Sequence, residues 1–206
     1  MKPYREIAFT PAVEAVQRAR GSYATYARLE GRPVPEAFTG DELAFFRLRD
    51  SFYVASVNAD GWPYIQHRGG PRGFVRVTGP AQIAIADYAG NRQYVTAGNL
   101  AGDDRVALFF MDYREHARLK LFARAHTVEA ADAPLELLAA VTDPDYAARI
   151  ERVIVFDVEA RSWNCQQHIP TRWDPEDVEE LTRPLRERIA ELEARLTAAE
   201  GASAVR

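Results

Sequence analysis

The sequence predicts a mainly β fold of the α+β class, an antiparallel barrel preceded by short helices and followed by a longer one. Three observations predict it. Between Ser51 and Val158, short alternating or apolar runs follow one another with turn residues between them and few helical stretches. Residues 1–50 carry helix-start signals rather than strand patterns, and beyond Asp174 the apolar side chains recur at helical spacing. The expected organisation is a helical segment over 1–50, the barrel domain over 51–172 and a helical extension over 173–206.

The elements are justified in order. Thr10-Pro11 reads as a cap followed by proline at the first helical position. Val13, Val16, Tyr23 and Tyr26 then give an irregular amphipathic helix broken near Gly21. Thr39-Gly40-Asp41-Glu42 matches a capping box, opening a short helix with Leu43, Phe45, Phe46 and Leu48 as its apolar content. Phe52 to Val57 and Tyr64 to His67 read as a hairpin around Asn58-Ala59-Asp60-Gly61. Gly73 to Val77 and Ala81 to Ala86 form a second strand pair, and a short helix lies within Asn91 to Leu100. Val106 to Met111 is uninterrupted and apolar, as for a strand buried on both faces. Arg118 to His126 alternates, with Leu119, Leu121, Ala123 and Ala125 on one face and Arg118, Lys120, Phe122, Arg124 and His126 on the other. Pro134 to Val141 is expected as a crossover helix and Arg152 to Val158 as the last central strand. Asp174-Pro175 starts a helix with Val178, Leu181, Leu185, Ile189, Leu192 and Leu196 close to a heptad seam. Pro184 is expected to kink or restart it, with Thr182 as a second cap.

Composition narrows the function. A chain of 206 residues suits one domain with appendages, and 47% hydrophobic with 27% charged residues is ordinary for a globular protein. The formal charge of -4 offers no global attraction to nucleic acid or to a membrane surface. An anionic ligand must therefore be held by local cations. Cys165 is the single cysteine, so no internal disulfide framework exists. Met1 to Glu6 lacks the apolar stretch of a signal peptide and no run is long enough to cross a bilayer, so cytoplasmic residence is the expectation.

The stretch from Gly61 to Leu121 carries the chemistry. Gly90-Asn91-Arg92-Gln93 has a bland reading, a solvated turn before a helix, and a functional one. In the functional one Gly90 allows a tight bend, helix-start amides face an anion, Arg92 supplies a charge-assisted fork, and Asn91 and Gln93 add neutral donors. Gln66-His67-Arg68-Gly69-Gly70-Pro71 is either a hairpin ending in a wide loop or a binding edge where glycine lets a planar ring approach the backbone. Cys165 and His168 have metal-like spacing without further ligands, and His67, His116 and His126 are dispersed, so no metal site is expected. A Cys165-His168 nucleophilic pair lacks an orienting third residue.

The order of Trp62 to Pro71, Gly90-Asn91-Arg92-Gln93-Tyr94-Val95-Thr96, Asp104 to Tyr113 and Arg118-Leu119-Lys120-Leu121 resembles the pyridoxamine 5'-phosphate oxidase-like family of FMN-binding split barrels. The likeness covers roughly residues 39–172. It implies a six-stranded antiparallel split β-barrel, a homodimer, and FMN bound at the dimer interface. By position, Gly90-Asn91-Arg92-Gln93 falls on the family's Gly-Ser-Arg-Lys-type phosphate motif, with Asn91 and Gln93 replacing the hydroxyl and the second cation. The resemblance implies cofactor contacts from Gln66, His67, Arg68, Gly69, Gly70, Asn91, Arg92, Gln93, Asn99, Arg118, Lys120, Trp163 and Gln166. Arg68, Lys120 and His67 are of the type that stabilises an anionic reduced flavin. No residue is assigned a covalent catalytic role.

The leading expectation is an FMN-dependent oxidoreductase that passes hydride or electrons through flavin N5. Its donor would be a small molecule or a reductase partner. The alternatives are a flavin-binding module or electron-carrier subunit without its own turnover, and an authentic pyridoxamine 5'-phosphate oxidase. Against the last, Gln166-Gln167-His168-Ile169-Pro170 stands where that enzyme's tail supplies Arg and His to the vitamin phosphate.

Overall fold

The computed structural model describes residues 1–28, 30–31, 33–163 and 167–203. Fourteen elements follow in chain order: α1 (Tyr4–Ala8), α2 (Pro11–Ala19), α3 (Tyr23–Ala27), α4 (Gly40–Arg47), β1 (Ser51–Val57), β2 (Pro63–Gly69), β3 (Arg76–Gly79), β4 (Gln82–Tyr88), α5 (Val95–Gly102), β5 (Arg105–Asp112), β6 (Ala117–Glu129), α6 (Leu135–Val141), β7 (Ile150–Trp163) and α7 (Pro175–Ser203). The chain divides into two compact units. One comprises Met1–Asp112 and Ala117–Gln166, the other Tyr113–His116 and Gln167–Arg206. The N-terminal helices thus belong to the same unit as the sheet.

Local signals account for the helix boundaries. Thr10 Oγ1 accepts from Val13 N at 3.4 Å, and the chain breaks at Gly21 (φ 76°) before α3. At α4 the Glu42 carboxylate accepts from Thr39 N at 2.8 Å and Thr39 Oγ1 at 2.6 Å. Phe45 and Phe46 are then fixed toward the core, where Phe46 meets Phe110 edge to face at 5.4 Å.

In the first unit one antiparallel sheet of seven strands runs β2-β1-β5-β6-β7-β4-β3. It is the split barrel with helices at both ends of the chain. Seven strand segments are legible in the residue patterns, one more than the resemblance implies, and the short β3 is paired with β4 from Arg76 to Gly79. The interior is lined by Phe52, Val54, Leu108, Phe110, Leu119, Leu121, Ile154 and Phe156. The exposed-buried alternation of β6 follows the expectation from sequence.

Three expectations are corrected. β5 is not buried on both faces: Val106, Leu108 and Phe110 point inward while Ala107, Phe109 and Met111 are half-covered on the outer face. Apolar outer residues made it read as doubly buried. α6 is not a crossover between parallel strands, because β6 and β7 pair directly and antiparallel from Leu119↔Trp163 to Glu129↔Arg152. It instead covers a second cluster in which Val141, Leu137 and Leu138 pack on Ala84, Ala86, Val153 and Val155. Thr182 is no second cap, since its hydroxyl donates back to Val178 O at 2.8 Å and α7 runs continuously through Pro184.

In the second unit, Asp174 Oδ1 accepts from Asp177 N at 2.8 Å at the start of α7. The Asp177 carboxylate also accepts from Arg114 Nη1, and the Arg114 guanidinium lies 5.8 Å from the Trp173 ring centroid. No described helix is long and apolar enough to cross a membrane.

Candidate functional site

The sheet order puts β2 at one edge and β4 next to the other, yet curvature brings them within side-chain reach. Arg68 on β2 donates through Nη1 to Asp87 Oδ1 on β4. The other carboxylate oxygen, Oδ2, accepts from Arg152 Nε at 3.1 Å and Nη2 at 2.9 Å. Asp87 and Arg152 are Cα partners on the β4–β7 ladder, so register alone sets them opposite each other. The Asp87 side chain is only 6% exposed, a burial a carboxylate tolerates because cations and hydrogen bonds surround it. Burial works against the charge of Arg152, but the hydrogen bonds and charge of Asp87, with Glu129 and Glu151, outweigh it and raise the guanidinium pKa.

Between β4 and α5 the backbone is unusual. Arg92 (φ 61°) and Tyr94 (φ 53°) both occupy the left-handed region, which costs a non-glycine residue roughly 1–3 kcal/mol. Asn91 Oδ1 accepts from Gln93 N at 3.2 Å, forming an Asx turn inside the bend. Tyr94 organises two cations. A hydrogen bond between their side chains raises the pKa of Arg92, and the Arg152 guanidinium lies 4.7 Å from the centroid of the Tyr94 ring. Thr96, in the first turn of α5, donates to Gln66 Oε1 at 2.5 Å and ties β2 to that turn.

These elements enclose an open pocket of about 240 Å³, lined by Gln66, Arg68, Asp87, Tyr88, Gly90, Asn91, Arg92, Tyr94, Thr96, Ala97, Glu151 and Arg152. Three guanidinium groups against two carboxylates leave the lining net positive by one. Arg68 Nε is buried without a hydrogen-bond acceptor among the described residues. A buried donor without an acceptor costs about 1–3 kcal/mol, which a bound acceptor recovers. The pocket therefore offers a net positive lining and a donor in need of an acceptor, chemistry that suits an anionic, acceptor-rich ligand.

A profile of the pyridoxamine 5'-phosphate oxidase family matches residues 38–164, more than half of the chain. The protein belongs to this family. No curated protein sequence matches it. Among solved structures, HupZ from Group A Streptococcus is similar at 17% identity and a TM-score of 0.49, covering 66% of this chain and all of its own. A putative pyridoxamine 5'-phosphate oxidase from Lactobacillus delbrueckii is 19% identical with a TM-score of 0.46, over 62% of this chain and 94% of that one. An FMN-binding protein from Syntrophomonas wolfei is 11% identical with a TM-score of 0.45, over 75% of this chain and 97% of that one.

Of the residues that resemblance to the pyridoxamine 5'-phosphate oxidase family nominates, Gln66, Arg68, Asn91 and Arg92 share the pocket. Gln93 is exposed in the same loop. His67 faces away from Gln66 and Arg68 on β2 and meets the Tyr53 ring at 5.6 Å. Gly69 pairs with Ser51 at the end of β2, while Gly70 N donates to Asp50 O at 2.9 Å. A Cβ at Gly70 would lie 2.8 Å from Phe74, so this glycine serves a close approach of the chain to a core ring. Asn99 Nδ2 donates to Ser56 Oγ at 2.9 Å and anchors α5 on β1. Lys120 Nζ lies 5.0 Å from the Tyr4 ring, and Arg118 Nε is buried without an acceptor among the described residues. Trp163 Nε1 donates to Glu42 Oε1 at 2.8 Å, and its ring meets Phe45 edge to face at 4.9 Å. Gln166 and Cys165 lie outside the described residues. No group of three metal-ligating side chains occurs among the described residues.

Asp87, Tyr94, Thr96 and Arg152 also line the pocket, with Tyr88, Gly90, Ala97 and Glu151, and are absent from the sequence-derived set of contacts. A signal exists for two of them. Asp87 ends the apolar run Ala81 to Ala86, and Arg152 begins the run to Val158, and a charge inside a buried strand needs a partner.

Proposed function

We propose that the protein is an FMN-dependent oxidoreductase whose pocket between β2, β4 and the start of α5 grips the phosphate end of the mononucleotide. The observation that carries this reading is a net-positive pocket in which Arg92 is held in the left-handed region and Arg68 keeps a buried donor free. Family membership supports it. Within the pocket Arg92 supplies a charge-assisted fork, while the amides at the start of α5 point their positive dipole end toward the same space. Arg152 takes over as the second cation that Gln93 does not provide. Gln66, held by Thr96, would meet the ribityl chain. Bound there, FMN supplies hydride transfer at its N5.

A pocket of about 240 Å³ lies below the roughly 300–1,000 Å³ of sites that enclose a whole cofactor-sized ligand. In this reading a second copy would complete the surface for the flavin ring, and the protein acts as a homodimer. Tyr53, Trp62 and Ile65 support this, since all three are exposed on the β1–β2 hairpin. Arg118 and Lys120, which alternate with the buried Leu119 and Leu121 on β6, would in this reading meet the ring rather than the phosphate. The reductant is a small molecule or a reductase partner, and the protein works in the cytoplasm without nucleic acid or membrane.

Titrating ligand-free protein with FMN and following the quenching of flavin fluorescence tests the reading. Saturable binding that Arg92→Ala weakens at least tenfold is expected; equal affinity of both proteins would remove the pocket from the cofactor site. Turnover is tested on the reconstituted protein with reduced nicotinamides and, separately, with pyridoxine phosphate under air. Bleaching by either nicotinamide supports the oxidoreductase reading, and rapid pyridoxal phosphate formation would reassign the substrate.

A further inference from the structure

We propose that α7 pairs with α7 of a second copy of this chain as a parallel two-stranded coiled coil. The helix is 29 residues long, about 43 Å at 1.5 Å per residue. Along it Val178, Thr182, Leu185, Ile189, Leu192, Leu196 and Ala199 are spaced 4, 3, 4, 3, 4 and 3 apart, three heptads of one continuous seam. The seam is uncovered: Leu185, Ile189, Leu192 and Leu196 are between 46% and 64% exposed. A row of large aliphatic side chains in water is what a facing helix removes.

Residue choice along the seam selects the number of strands. Ile189 holds the first heptad position and Leu185 and Leu192 the fourth, the combination that favours two strands. Pro184 sits two positions after Thr182, on the outward side, and stays clear of the contact.

The flanks select the occupant and its direction. Arg188 and Arg195 precede seam residues Ile189 and Leu196 on one flank, while Arg186 follows Leu185 and Glu193 follows Leu192 on the other. In a parallel pair a flank residue meets the residue five positions further along the partner, so Arg188 faces Glu193 of the second copy, and the reverse. In an antiparallel pair the arginine flank faces its own copy and repels it. Among the described residues of one chain these arginines reach Glu191, to which Arg188 donates directly and from which Arg195 Nη1 is 3.9 Å away. Arg186, which follows Leu185 on the same flank as Glu193, meets Leu181 of a parallel second copy rather than a charge, so the charge complementarity of the pair rests on Arg188 and Glu193.

The test uses the full chain carrying Cys165→Ser and Leu196→Cys under mild oxidation. Disulfide-linked dimer is expected at least tenfold faster than from a chain carrying Glu187→Cys, which faces outward from the seam. Glu193→Arg in the Leu196→Cys chain should slow cross-linking about tenfold, and adding Arg188→Glu should restore it. The readout is local to the helix, so a barrel-mediated dimer neither mimics nor hides it, and no flavin is required. Cross-linking no faster than the outward control would overturn the proposal, as would failure of the charge swap to restore it. Linkage of Leu196→Cys only to Leu185→Cys would replace it by an antiparallel pair.

Discussion

Arg152 and Asp87 stand opposite each other on β7 and β4, and Arg152 directs both Nε (3.1 Å) and Nη2 (2.9 Å) onto the single oxygen Oδ2 of the Asp87 carboxylate. The other oxygen is thereby left for Arg68, which arrives from the far edge of the sheet. One carboxylate joins two strands that do not hydrogen-bond to each other, and does so on the wall of the candidate site. The same group serves barrel closure and the presentation of two guanidiniums.

That double role predicts an asymmetry. Asp87→Ala leaves two largely covered guanidiniums without their shared counter-charge and should cost up to about 3–5 kcal/mol of stability. Arg152→Met should cost less, because Asp87 retains Arg68 and the methionine stem keeps the packing. Urea unfolding of the two variants checks the order. Equal losses would mean that Arg68 adds nothing to the cluster.

Arg92 allows charge to be separated from backbone strain. Asn tolerates the left-handed region better than most residues, so Arg92→Asn removes the cation without worsening the bend. FMN affinity should fall by about 10- to 100-fold, the equivalent of about 1.5–3 kcal/mol for a charge-assisted bond, with an unchanged melting temperature. A parallel loss of both would make Arg92 a structural residue.

Much of this arrangement is legible in the sequence. Strand periodicity between Ser51 and Val158 marks all seven strands, and the capping signals at Thr10 and Thr39 mark two helix starts. What escapes is what depends on curvature. Nothing local to Arg68, Asp87 or Arg152 says that they meet, because the contact spans three strands brought together by closure of the sheet. Ala107, Phe109 and Met111 look buried in the sequence because apolar side chains that are only half-covered on an outer face read the same as core residues. Gly70 looks like a ligand approach because a close approach to a ring inside the fold needs the same missing Cβ.

Acid should act on a different part of the barrel. Burial pushes the Glu42 carboxyl up, but donors from Thr39, the Trp163 indole and the Arg161 guanidinium at 3.2 Å outweigh it, and the folded-state pKa is lowered. A carboxylate with a depressed folded pKa contributes stability that is fully present above its unfolded value, about 4.3, and is lost as pH falls through the folded value. Glu42→Gln should therefore be less stable than the parent at neutral pH, and the gap should narrow below about pH 4.3. Thermal melts between neutral and acidic pH measure it. A gap independent of pH would show that the charge of Glu42 contributes nothing.

Gly70 separates a packing role from a binding one. A Cβ added there would sit 2.8–3.0 Å from three atoms of Phe74, and Phe74 is itself buried against Phe52 at 5.9 Å between ring centroids. The ring has no free direction in which to yield, so Gly70→Ala should destabilise the barrel by about 1–3 kcal/mol, the cost of overpacking a filled core. FMN affinity, measured well below the melting temperature, should hold, because the clash lies against the core rather than in the Arg92 pocket. A melting temperature equal to that of the parent, with lost flavin binding, would return Gly70 to the cofactor site.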